Sequence, residues 1–89
     1  MAERERIVGK VEKFFQKPSV AAVRVENGEL KVGDLIRIHG ATTNFTQTVD
    51  SMQIEHDPVT AAKPPDLVGI KTKERVRHGD TVSIIEEEG

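Results

Sequence analysis

The chain has 89 residues, 36% of them apolar, with three Phe and no Trp, Tyr or Cys; this describes one small domain with an aliphatic core and excludes disulfides, thiolate metal sites and thiol catalysis. Thirteen Lys and Arg against 15 Asp and Glu leave a net charge of −2, which argues against coating nucleic acid by bulk charge but leaves a local basic face open. The longest apolar run, Val20-Ala21-Ala22-Val23, is too short for a membrane span or a signal peptide, so a cytoplasmic setting is expected.

In chain order, Ala2-Glu3-Arg4-Glu5-Arg6 alternates in sign and Glu86-Glu87-Glu88-Gly89 is acidic. Both ends are expected to fray around a core of about residues 7–86, within a single domain covering 1–89. Val, Ile and Thr between Gly, Pro, Asn and Asp punctuation predict six strands. The first is Ile7 to Phe15, ended by Lys17-Pro18, and the second is Ser19 to Glu26, closed by the turn pair Asn27-Gly28. The others are Asp34 to His39, Phe45 to His56, Leu67 to Lys73 and Asp80 to Glu86. In the fourth, Phe45 and Val49 share one parity while Met52 and Ile54 share the other. A bulge near Asp50-Ser51 would turn all four inward.

Three of these strands open alike: Asp34-Leu35-Ile36-Arg37-Ile38, Asp66-Leu67-Val68-Gly69-Ile70 and Asp80-Thr81-Val82-Ser83-Ile84. Gly33 and Gly79 precede two of them and Pro65 the third. The physical reading is a repeated tight turn whose Asp caps nearby backbone donors. Short strands with this punctuation predict an all-β fold, a single six-stranded antiparallel β-barrel, with a β-sandwich as the alternative. Its inward positions include Val11, Val23, Val25, Ile36, Ile38, Val49, Ile54, Val68, Ile70, Val82 and Ile84.

Four segments also resemble the second domain of translational GTPases. They are Leu30-Lys31-Val32-Gly33-Asp34-Leu35-Ile36, Thr48 to His56, Ala62 to Ile70 and Arg77-His78-Gly79-Asp80-Thr81-Val82. Their order and spacing match from about Gly9 to Ile85, with archaeal and eukaryotic tRNA-delivering elongation factors as the nearest counterparts. The barrel appended to U32-family peptidases is similar as well. The resemblance implies a six-stranded barrel, and it implies pocket-side roles for Gln53, His56 and Leu67. Leu67 stands where the elongation factors often carry Asn, beside the pocket for the aminoacyl end of tRNA. Pro65 replaces the usual Gly, so the turn must form without positive φ, for which a cis Pro64-Pro65 bond is one solution.

The chain has no G-x-x-x-x-G-K-[ST] loop to cradle phosphates, so nucleotide binding and hydrolysis are not expected. There is no G-x-S-x-G or S-x-x-K motif, and His39, His56 and His78 lie on separate elements without metal-ligand spacing. No enzyme activity, cofactor or metal is therefore expected. Lys71, Lys73, Arg75 and Arg77 recur at period two, so an extended strand would present all four on one face, with His78 extending the cluster. Such a row suits phosphates, with a log K against log salt slope of about −3 to −4 for four contacts; a solvated strand face is the plain alternative. Phe14 and Phe15 are adjacent, so a strand turns one of them outward, as a stacking platform, a partner contact or a residue covered by a loop. The expected function is a non-catalytic, translation-factor-like binding module contacting RNA or the ribosome. The alternative is a protein–protein adaptor for a U32-type peptidase or RNA-modifying enzyme.

Overall fold

The structure, a computed structural model, describes residues 2–88. These form ten strands and no helix. They are β1 (Ala2–Phe15), β2 (Val20–Val25), β3 (Leu30–Lys31), β4 (Leu35–His39), β5 (Asn44–Thr48), β6 (Met52–Ile54), β7 (Asp57–Val59), β8 (Ala61–Ala62), β9 (Leu67–Lys71) and β10 (Thr81–Glu88). Every pairing is antiparallel. Eight strands make one sheet in the order β5-β4-β10-β1-β2-β9-β6-β7, and β3 pairs separately with β8. Among the described residues no helix is long and apolar enough to cross a membrane.

The closed six-stranded barrel is thus corrected to an open, strongly curled sheet with more and shorter strands. The cause lies in the stretch from Phe45 to His56. Instead of one bent strand it is two, separated at Val49-Asp50-Ser51. Val49 N–H donates to Asp34 O at 2.9 Å, and Val49 O accepts from Gly33 N–H at 2.8 Å, so its backbone is committed to the turn before β4 and not to a ladder. β5 then pairs only with β4, while β6 pairs with β9 and β7. Where backbone pairing lapses, the Gln47 side chain spans the gap. Its Nε2 donates to Lys71 O and its Oε1 accepts from Lys73 N–H, each at 2.9 Å.

One aliphatic core lies inside the curl. All the expected inward positions are buried except Ile54, which is half-buried and packs on the core edge. Val8, Ala21, Leu30, Phe45, Met52, Ala62 and Val76 complete it. β1 holds the sheet together by pairing with β10 along its first part and β2 along its second. Register shifts between Ile7 and Gly9 and between Val11 and Lys13 allow the change of partner, and they turn both Val8 and Val11 inward against simple alternation. A Cβ at Gly9 would run into Arg24 O at this crossover. The β1–β10 pairing extends into the charged ends. Ala2 pairs with Glu88 and Arg4 with Glu86, and the Arg6 guanidinium holds the Glu86 carboxylate at 2.8 Å, because the alternating arginines meet an acidic partner strand.

The repeated Asp turn is real in all three places. The carboxylates of Asp34, Asp66 and Asp80 accept from the backbone N–H of Lys31, Lys63 and Arg77 at 2.8, 3.1 and 2.9 Å. Each Asp N–H in turn donates to the carbonyl of that same residue. Gly33 and Gly79 supply φ of 98° and 91° in two of the turns, and the third carries a cis Pro64-Pro65 bond.

Candidate functional site

The outer face of β2, β9 and β6 carries a groove of about 840 Å³. Strand alternation builds it from small residues in the middle and larger ones at the rim. Ala22 lies opposite Gly69, and Gly69 opposite Gln53, across three adjacent strands. A Cβ at Gly69 would stand 3.3 Å from both Gln53 Cγ and Val20 Cγ1, so the missing side chain is what opens the floor. Phe15, 49% exposed, and Leu67, 38% exposed, form apolar walls, while Phe14 turns inward against the core. Lys13 and Lys17 stand on the β1 side, and Glu55 and His56 on the β6–β7 side.

Both flanking turns are unusual. Glu55 and His56 are the two central residues of the hairpin between β6 and β7, with φ of 49° and 70°. This left-handed pair is the type I′ geometry that Asn-Gly ordinarily supplies. On the other side, Lys17-Pro18 is cis and Ser19 has φ 70°. Ser19 is pinned twice: its Oγ donates to Thr72 O at 2.8 Å and its O accepts from Thr72 N–H at 2.9 Å. Beside the groove, Arg24 lies opposite Leu67. Its Nε donates to Glu12 at 2.7 Å and its Nη1 to Pro65 O at 2.9 Å. This hydrogen bond, reinforced by the guanidinium charge, holds the Glu12 carboxyl below its ordinary 4.5 and raises Arg24.

The three pocket-side positions, Gln53, His56 and Leu67, therefore meet in one groove. The basic row does not form one strand. β9 ends at Lys71, and residues 72–80 are irregular. Thr72 and Val76 turn into the core, and Thr72 Oγ1 donates to Glu74 O at 2.8 Å. Lys71, Lys73, Arg75, Arg77 and His78 are all exposed. Lys71 and Lys73 line one recess, and Arg75, Arg77 and His78 lie outside it. Among the described residues no group of three or more His, Cys, Asp or Glu could hold a metal. Sequence reasoning missed Lys13 and Lys17 as groove residues, because the register shift and the turn that place them leave no periodic signal. The Phe14-Phe15 pair was the available pointer to that wall.

Comparison with known proteins identifies the family. The elongation factor Tu domain 2 family model matches residues 19–83. The chain is 42% identical over 81 residues to a Methanocaldococcus jannaschii protein described as an uncharacterized protease, and 40% identical over 81 residues to a Porphyromonas gingivalis collagenase. These alignments cover 90% and 89% of this chain but 20% of each relative. It is 33% identical over 70 residues to Pyrococcus horikoshii elongation factor 1-alpha, covering 70% of this chain and 16% of that protein. The chain thus spans about a fifth of the length of the first two relatives. Among solved structures it is similar to the C-terminal domain of a Geobacillus thermoleovorans protein described as a U32 peptidase. The TM-score is 0.82 at 24% identity, over 86% of this chain and 96% of that one.

Proposed function

The chain belongs to the elongation factor Tu domain 2 family, and from that premise we propose that it is a non-catalytic module that binds single-stranded RNA in the cytoplasm, taking a base into the Phe15–Leu67 groove. The observation that carries this reading is the convergence of Gln53, His56 and Leu67 with an exposed aromatic ring in one cleft. A ring and a leucine offer a base two apolar faces, and stacking on an aromatic side chain is worth about 1–3 kcal/mol per base. The Gln53 amide can both donate to and accept from a base edge. Lys13 and Lys17 supply positive charge beside the groove without an acidic partner of their own among the described ion pairs.

Anisotropy of a dye-labelled RNA pentamer tests this directly. Phe15→Ala is expected to weaken binding by about tenfold or more, the range that loss of one stacking contact gives. Equal affinity of wild type and variant would remove the groove from the account.

A second reading, an adaptor that docks on a U32-type peptidase or RNA-modifying enzyme, is favoured by a different face. Ile7 and Leu35, 51% and 40% exposed, lie on β1 and β4 on either side of β10. Binding of such a protein that Ile7→Glu abolishes and Phe15→Ala leaves intact would select this reading.

A further inference from the structure

A second recess, of about 430 Å³, lies between the end of β5 and the end of β9. Its position relative to the groove follows from strand geometry. Leu67 and Gly69 face the groove, and Lys71 is the next residue of β9 on the same side, about 7 Å further on at two residues of rise. On the neighbouring strand, Gln53 lies in the groove, and Ser51, two residues earlier, lines the recess. The two hollows are also linked: Lys17 and Pro18 line the groove, and the next residue, Ser19, is hydrogen-bonded to Thr72, which lines the recess. They are neighbouring hollows along β9.

The recess has the chemistry of an anion site. Its backbone is fixed, with Lys71 O and Lys73 N–H both held by the Gln47 amide. That leaves the lysine side chains as its outward-reaching groups. Lys73 Nζ rests 5.9 Å from the Phe45 ring centroid, while Thr48 and Ser51 contribute hydroxyls. Asp50 is the single acidic residue in the lining. Lys71 and Lys73 are in no ion pair among the described residues.

We infer that this recess takes a backbone phosphate of the strand whose base sits in the groove, so that the two hollows together select an RNA strand over a free nucleoside. This rests on the groove reading. Lys71 follows Gly69 on the same side of β9, and two lysines against one carboxylate line the recess.

NMR titrations with adenosine and with the trinucleotide rA3, at several salt concentrations, test it. In Lys71→Gln/Lys73→Gln the trinucleotide is expected to bind at least fivefold more weakly. Its log K against log salt slope should be shallower by about 0.7 for each lost phosphate contact, while adenosine affinity is unchanged. Asp50→Asn, which removes only the acid, is expected to strengthen trinucleotide binding and leave adenosine alone. If adenosine and rA3 both bind in a Phe15-dependent way but neither lysine nor Asp50 variants change rA3 affinity or its salt slope, the recess is not a phosphate site and the groove reading stands. If neither ligand binds, or if an acidic peptide binds at Lys71 and Lys73 and RNA does not, the groove reading falls and the inference with it.

Discussion

His56 shows how a single residue can be placed by the fold against its own preference. It and Glu55 hold positive φ, a conformation that costs a non-glycine residue about 1 kcal/mol or more. The hairpin register, Ile54 opposite Asp57, leaves a two-residue turn and so imposes that conformation. Its effect is to stand both side chains on the wall of the groove. His56→Gly should therefore raise unfolding stability by up to about 1 kcal/mol in urea titration while weakening RNA binding. A loss of stability would show that the side chain holds the turn. None of this was legible locally, since Glu-His carries no turn signature. His56 was reached only through the family resemblance, as were Gln53 and Leu67.

At the scale of elements, the three Asp turns are the feature most fully legible in the sequence, because their chemistry is local. Each carboxylate reaches a donor three residues back, and a strand begins directly after the turn. They are not equivalent energetically. Asp80 is buried and packs against Gly40, where a Cβ would collide with its carboxylate, whereas the bonds of Asp34 and Asp66 are exposed. Asp80→Ala leaves a part-buried N–H of Arg77 without its partner and should cost about 2–3 kcal/mol, against about 1 kcal/mol for Asp34→Ala or Asp66→Ala. Equal losses in denaturant titration would contradict this ranking. The strand expected from Phe45 to His56 was half legible. The parity break at Asp50-Ser51 marks where it is interrupted, and Phe45, Val49 and Met52 are buried, but its division into two strands depends on Val49 bonding to Gly33 and Asp34. The basic row keeps its expected alternation, with Thr72 and Val76 buried on the parity of Val68 and Ile70, but the strand ends at Lys71, after which Lys73 N–H bonds the Gln47 side chain and Glu74 O the Thr72 hydroxyl.

Across the whole molecule, the core was readable from period-two aliphatics, while the curl and the site were not. They arise from how β1 changes partners and from where loops are pinned. On the β1–β10–β4 side, Arg6 and Arg37 are matched by Glu86 and Glu5. On the β2–β9–β6 side, Arg24 is matched by Glu12, while Lys13, Lys17, Lys71 and Lys73 border two hollows in no ion pair among the described residues, with Glu55 and Asp50 as the acidic lining. A net charge of −2 says nothing of this local arrangement. Amide chemical-shift mapping of the full chain with a short single-stranded RNA tests the account most directly. Perturbations concentrated in residues 13–22, 53–56 and 67–73, weakening as salt rises, are the predicted result. Shifts confined to the face bearing Ile7 and Leu35, or none at all, would contradict it.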